Sequence, residues 1–338
     1  MSKKPYLRYA LNIGISVLIL GFIFTQVSIA QITGSLRAAD LALVLLSCAL
    51  GVLSLILSAW RWGMLLEYLG QTHGFGLLCR LTFTAFFYNN FLPGGVAGEV
   101  ARVAMLPPAD AGMDRQTHLT RITATVVTDR IVGMIGIMLL AFFGFVFSRD
   151  LLRDDRLSAV FVLLTLGLLA VFVVLFSRRI QSRVKTLFAA PLRILAPVRG
   201  PIRTMTDALF VYRDRYDVFF KTIPVSVAAN ICVVGYFFFL ARSIDVDIGF
   251  FKLLLFVPFI EFVSTIPVSL SGVGIREATT ILLFASQGVS AAQSIAVSLL
   301  TFVVLVVLGA IGAFFFFFRK SPAQPVDGAP PKPDDGRQ

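Results

Sequence analysis

The sequence predicts an all-α, polytopic integral membrane protein, with about six full spans plus two broken or re-entrant hairpins in an inverted repeat. Three observations carry that expectation. Hydrophobic residues fill 57% of the 338 positions and charged residues only 14%, with a mean hydropathy of +0.86; soluble domains carry about 25% charged residues. Apolar runs of roughly 18 residues or more, long enough to cross a bilayer as helices, occur at Leu11–Ile29, Leu41–Ala59, Ile122–Phe147, Leu157–Phe176, Ile223–Ala241 and Ile295–Phe318. Two further apolar stretches are interrupted by proline and glycine and carry charge at the break. In both, an arginine follows the proline by nine positions, Pro93 to Arg102 and Pro267 to Arg276.

Lysine and arginine mark the cytoplasmic side of a membrane protein, which orders the elements. Lys3, Lys4 and Arg8 place the N-terminus inside. The first run is too long for a cleaved signal peptide and lacks a small-residue cleavage motif; it exits to a short loop, Gln31–Asp40. The second returns at Trp60-Arg-Trp62, where the tryptophans read as interfacial anchors and Arg61 as a snorkelling charge. Leu77–Arg121 then begins and ends inside, as the first broken hairpin. Ile122–Phe147 leads out and Leu157–Phe176 leads back to a basic region, 178–221, with ten Lys/Arg against three Asp. Apolar residues there recur at steps of three and four (Ile202, Met205, Leu209, Tyr212, Tyr216), the pattern of an amphipathic helix on the inner face.

Ile223–Ala241 goes out again. Phe251–Val289, the second broken hairpin, begins and ends outside, and Ile295–Phe318 returns to Arg319-Lys320. The two hairpins therefore enter from opposite faces, as an inverted repeat requires. Phe75–Leu92 is long enough to cross and Gly274–Ser286 is short enough to be re-entrant, so each hairpin is read either way. Residues 1–320 form one membrane domain. The tail, 321–338, contains five prolines and almost no bulky apolar residues, a composition that predicts disorder. Both termini are expected in the cytoplasm.

The net charge of +11 points to anionic lipid rather than nucleic acid, because the basic residues sit beside spans and no nucleic-acid motif accompanies them. Cys48, Cys79 and Cys232 lack metal-ligand spacing. His73 and His118 read as residues of polar connections. All five are expected to be structural, and no metal or cofactor is expected. There is no Walker loop, His-Glu-x-x-His pair or Gly-x-Ser-x-Gly elbow, so an enzyme is not expected.

Bare backbone and charge are tolerated at membrane depth only inside protein or around water. Paired broken segments are thus the sequence pointer to a transport site. Candidate substrate-binding residues follow from them. In the first break, Pro93, Gly94, Gly95 and Gly98 would bring backbone N–H groups to the start of a helix, a favourable place for an anion. Glu99 and Arg102 lie three apart and can pair on one helical face. Asp129 and Arg130 lie about 13 Å into their span from a start near Arg121; pointing about 100° apart, they are expected to pair with other groups, such as Arg102 or Glu99. Glu261 lies in an apolar run three residues after Pro258, as a proton-coupling acid or a counter-ion for Arg276. Pro267, Gly272, Gly274, Arg276 and Glu277 repeat the first break, and arginine suits phosphate because its fork donates two parallel hydrogen bonds.

Three blocks resemble the signatures of the lysylphosphatidylglycerol synthase transmembrane-region family: Leu92-Pro-Gly-Gly-Val-Ala-Gly-Glu-Val-Ala-Arg102, Val127-Thr-Asp-Arg-Ile-Val-Gly133 and Ile266-Pro-Val-Ser-Leu-Ser-Gly-Val-Gly-Ile-Arg-Glu277. Ala59-Trp-Arg-Trp-Gly-Met-Leu-Leu66 is similar to its weaker second-helix motif. The resemblance covers roughly residues 7–320. It implies a flippase-like domain with eight or so membrane segments in a bacterial inner membrane, in a stand-alone form lacking the aminoacyl-transferase domain of the full-length synthases. One departure is the final span, where members often carry an arginine and this chain has Leu299-Leu-Thr-Phe-Val303.

The resulting expectation is a lipid flippase or transporter moving an anionic or phosphate-linked lipid between leaflets, the lipid being aminoacylated, hopanoid or polyprenyl-linked. A lipid-modifying enzyme encoded separately is a candidate partner. The alternatives are a membrane enzyme acting on a polyprenyl-phosphate lipid and a lipid-binding scaffold for a synthase.

Overall fold

The computed structural model describes residues 29–91, 97–108, 114–148, 212, 216–264 and 274–318. The described residues are helical, with no strand among them. In chain order the helices are α1 (Ile29–Arg37), α2 (Leu41–Tyr68), α3 (Phe75–Phe91), α4 (Ala97–Met105), α5 (Arg115–Phe147), α6 (Tyr216–Arg242), α7 (Phe250–Ser264), α8 (Ile275–Ala285) and α9 (Ala291–Phe317). Helices α2, α5, α6 and α9 are long and apolar enough to cross a membrane. The expected spans Leu11–Ile29 and Leu157–Phe176 lie outside the described residues, apart from Ile29 at the start of α1. So do the region 178–211 and the tail.

The molecule has the polarity expected in lipid. Large apolar side chains stand exposed on the outer faces of the long helices, among them Leu41, Phe143, Phe220, Ile231 and Phe317. Small polar side chains lie inside: Ser47, Ser54, Thr125, Ser226, Ser298 and Thr301 are all buried. A water-soluble chain would reverse this, whereas helices packed in hydrocarbon place small and weakly polar residues at their contacts. Most of these hydroxyls donate to a carbonyl one turn back or on a neighbouring helix, as Ser47 does to Leu43 and Tyr236.

Two quartets of helices run long, short, short, long: α2–α5 and α6–α9. Their first members pack together and run antiparallel. Asp40 N donates to Ser243 O, Ser47 Oγ to Tyr236 O, Arg61 Nη1 to Ser226 Oγ and Tyr68 Oη to Asp217 Oδ2, so one number rises as the other falls. The remaining contacts are reciprocal. The first short helix of each quartet packs on the last helix of the other, α3 on α9 and α7 on α5. A glycine makes each contact possible. A Cβ on Gly312 of α9 would overlap the backbone of Phe83 in α3, and one on Gly144 of α5 would overlap the backbone of Leu254–Leu255 in α7. Pro258 also sits in α7, and its missing N–H frees the carbonyl of Leu254. Antiparallel equivalents with exchanged partners are the geometry of an inverted repeat.

The breaks are short helices. At 1.5 Å per residue α3 is about 26 Å long, α7 about 23 Å, α8 about 17 Å and α4 about 14 Å, against roughly 30 Å of hydrocarbon. Two expectations need correction. Gln31–Asp40 is not a plain loop, because Ile29–Arg37 is helical and buries Ile32 against Ala292 and Ile295 of α9. His118 is not in a connection: α5 begins at Arg115, capped by the Asp114 side chain on Thr117 N, which puts His118 in its first turn, buried.

Two outcomes are expected. Gly144→Val and Gly312→Val each force backbone apart in a packed interface and should lower stability by about 1–3 kcal/mol; Gly76→Ala, with nothing within 4 Å of its Cβ position, should leave the melting temperature of the purified protein unchanged. His73, in the connection between α2 and α3, is held below the ordinary imidazole value by burial, with the nearby His118 adding to it. The unfolded chain therefore takes up this proton first, and its contribution to stability is present above about pH 6.5 and lost as pH falls below it. Melting curves across that window should show a smaller acid-side decline for His73→Gln than for the wild type.

Candidate functional site

Among the described residues, the charged groups of the first broken segment converge on α5. Glu99 and Arg102 stand one turn apart on α4, and Asp129 and Arg130 are adjacent on α5. The pairing is crossed. Arg102 Nη1 lies 2.9 Å from Asp129 Oδ2, and Arg130 Nη1 lies 3.2 Å from Glu99 Oε1. Adjacent residues on a helix point about 100° apart, so each charge on α5 takes a different partner. The pairing of Asp129 with Arg102 and of Arg130 with Glu99 is as expected; the pairing of Glu99 with Arg102 along α4 does not form. Because α5 starts at Arg115 rather than Arg121, Asp129 lies about 21 Å along it.

Asp129 has a second partner that the sequence reading assigned elsewhere. Arg61 Nε lies 2.7 Å from Asp129 Oδ1, and Arg61 Nη1 donates to Ser226 Oγ at 2.8 Å. Ser226 in turn donates to Val132 O at 2.9 Å. Arg61 is 6% exposed and Trp62 fully buried, so Arg61 does not snorkel outward and Trp62 packs against protein. The physical reason is the pairing of Arg61 with Asp129 and Ser226, which holds its guanidinium between helices. Gly133 of α5 faces the guanidinium, where a Cβ would lie 3.4 Å from Arg61 Nη2, at ordinary contact distance. Trp62 Nε1 donates to Thr125 Oγ1 at 3.1 Å, and its ring lies 4.9 Å beneath the Arg102 guanidinium, a favourable cation–π contact.

The start of α4 is held by Asn89, another residue the sequence reading missed. Its Oδ1 accepts from Gly98 N at 2.8 Å. A Cβ on Gly98 would overlap Ala85 O of α3, so glycine is what allows the two short helices to touch. Two polar atoms of the cluster remain buried without a hydrogen bond, Arg102 Nε and Glu99 Oε2. Among the described residues the cluster joins Arg61, Arg102 and Arg130 to Asp129 and Glu99.

The second break is built differently. Gly274, at φ 89°, adopts a conformation that favours glycine, and its N–H donates to Glu277 Oε2 at 2.5 Å. Glu277 thereby caps the N-terminus of α8 with its own side chain. Its Oε1 accepts from Ser298 Oγ at 2.9 Å and from Arg276 Nη2 at 3.3 Å. Arg276 is buried, with Nε unpartnered. Glu261 on α7 forms no ion pair among the described residues, but it shares its electrostatic surroundings with Arg276 and Tyr236. Of the remaining candidates, Pro93, Gly94, Gly95, Pro267 and Gly272 lie outside the described residues, so a cavity between the two breaks is not part of the described structure.

A cavity of about 1070 Å³ opens on the other side of α4, between α3, α4, the start of α5 and the end of α9. No residue of the charge cluster lines it. A packed layer of Trp62, Leu78, Leu81, Leu106 and Ile122 lies between α2, α3, α4 and α5.

The lysylphosphatidylglycerol synthase TM region matches residues 9–313 of the chain. A UPF0104 membrane protein of Pyrococcus horikoshii is 24% identical over 317 residues, covering 88% of this chain and 91% of that protein. The match spans both quartets and both charged breaks, and the chain belongs to the lysylphosphatidylglycerol synthase transmembrane-region family.

Proposed function

We propose that the protein is a lipid flippase that moves an anionic or phosphate-linked lipid between leaflets of the cytoplasmic membrane without changing it covalently. The observation that carries this reading is the ion-pair cluster on α4 and α5, where Arg102 and Arg130 pair crosswise with Asp129 and Glu99 while Arg102 Nε and Glu99 Oε2 stay without hydrogen bonds. Charge inside a membrane is costly unless paired, and a guanidinium with an unused N–H beside a broken helix is a place for a phosphodiester. Arg102 and Arg130 would grip the headgroup, and Asp129 and Glu99 would release it by re-forming their pairs. The family ties the chain to membrane lipid function and leaves the lipid open: aminoacylated, hopanoid and polyprenyl-linked headgroups all carry the phosphate or polar group this site would take.

The inverted quartets supply the second support. Two antiparallel halves that exchange short helices can rock about the α2–α6 contact and present one site to either face. In this reading the short helices are re-entrant, both termini and residues 178–221 face the cytoplasm, and a separate lipid-modifying enzyme supplies the substrate.

The test is transbilayer movement of fluorescent phosphatidylglycerol in proteoliposomes, with the lipid recovered and weighed by mass spectrometry. The wild type should move lipid of unchanged mass. Asp129→Asn leaves Arg61 and Arg102 facing each other and should drop the rate below about a tenth, a loss of 1.4 kcal/mol or more in transition-state free energy. Arg276→Lys keeps the charge but not the fork, and should also impair movement. Covalently altered lipid would favour an enzyme, and full activity of Asp129→Asn would remove the cluster from the mechanism.

A further inference from the structure

The cavity beside α4 has two unlike ends. Along most of its wall it is apolar, with Leu77, Leu81, Val103 and the aromatic end of α9, Phe314, Phe315 and Phe318. Phe314 and Phe318 are 55% and 73% exposed, so the cavity is continuous with the outer apolar surface. Arg80 of α3 and Arg115, the first residue of α5, are its cationic groups. Among the described residues no acidic side chain lines it. Among the described residues neither arginine has an ion-pair partner, and Asp114, the residue before Arg115, is engaged as the cap of α5, accepting from Thr117 N and Oγ1.

A second, independent observation lies in the wall itself. His118 lines the cavity and is 6% exposed. Its Nε2 is 3.1 Å from Leu106 O, which leaves Nδ1 buried without a hydrogen bond. Unpartnered buried polar atoms are uncommon in folded proteins. Here one belongs to a cavity wall that also carries Arg80 and Arg115, at the positive end of the α5 dipole. Buried cavities of ligand-binding proteins run to about 300–1,000 Å³, so the volume suffices for a hydrocarbon chain together with a headgroup.

We infer that this cavity is a binding site for an anionic phospholipid, with the phosphate between Arg80 and Arg115 beside His118 and one acyl chain lying along α4 toward Phe314. The site is separate from the Asp129 cluster: no lining residue belongs to both. Its occupancy does not depend on whether that cluster transports lipid. An acyl chain explains the exposed aromatic wall and a phosphate explains the uncommitted cations; neither feature alone calls for the other.

The experiment uses the full chain purified in a neutral maltoside detergent and titrated with dioleoyl phosphatidylglycerol, with bound lipid read by native mass spectrometry. Arg80→Gln/Arg115→Gln should weaken binding roughly tenfold or more, since each basic residue near an anionic headgroup contributes about 1 kcal/mol. Ala104→Trp, at an exposed position of the same wall, fills the cavity and should weaken binding comparably while both arginines remain; Leu119→Trp serves if that variant does not fold. Dioleoylglycerol, without the phosphate, and glycerol 3-phosphate, without the chains, should each bind far more weakly. Unchanged affinity in the double glutamine variant, or in the cavity-filling one, would overturn the inference, as would glycerol 3-phosphate matching the lipid. Arg242→Gln, at an exposed arginine outside the cavity, should bind this lipid like the wild type.

Discussion

One carboxylate shared between two guanidiniums organises the first half of this molecule. Asp129 accepts from Arg61 on one oxygen and Arg102 on the other, and Arg61 reaches on to Ser226. Helices α2, α4, α5 and α6 therefore meet at a single polar point inside an otherwise apolar assembly. Hydrocarbon offers no alternative partners, so removing one member of a buried ionic group leaves a charge that neither water nor lipid can satisfy, typically a loss of about 3–5 kcal/mol. The position of α4, which carries Glu99 and Arg102, follows from this constraint together with the close approach to α3 that Gly98 permits.

The two quartets repeat the fold without repeating the chemistry. Gly144 and Gly312 make matching contacts at exchanged interfaces, and the lengths of the elements correspond. Yet Glu277 folds back to cap α8 and takes Ser298 and Arg276 as partners. The second break thus engages its own carboxylate and leaves Arg276 Nε unpartnered, while the first leaves Arg102 Nε and Glu99 Oε2. An inverted repeat with unequal halves carries its crossed ion pairs, and so the proposed anion site, in the first half.

Much of this was legible in the sequence because membrane helices are written in long apolar runs and in the placement of Lys and Arg. The four described spans appear as such, and the partners of Asp129 and Arg130 on α4 follow from the cost of burying charge. Arg61 was not legible for a specific reason. Flanked by Trp60 and Trp62, it has the signature of a snorkelling charge, and only the tertiary contact with Asp129 shows it to be turned inward. The signal available was the apolar stretch Gly63-Met-Leu-Leu66 beyond it. Asn89 and Ser226 were hidden for another reason: short polar residues in membrane helices are common, and tertiary contact alone distinguishes a cap or a relay from a filler.

The central claim is that Arg61 and Asp129 form a buried, structure-determining pair. A double-mutant cycle with Arg61→Met and Asp129→Asn, read as unfolding free energy in detergent, measures it directly. The account predicts a coupling of about 1–3 kcal/mol. That should exceed the coupling of the exposed pair Arg242 and Asp247, which are 2.8 Å apart with side chains 45% and 75% exposed; pairs of that kind give about 0.2–1 kcal/mol. A coupling for Arg61 and Asp129 no larger than that of the exposed pair would contradict it.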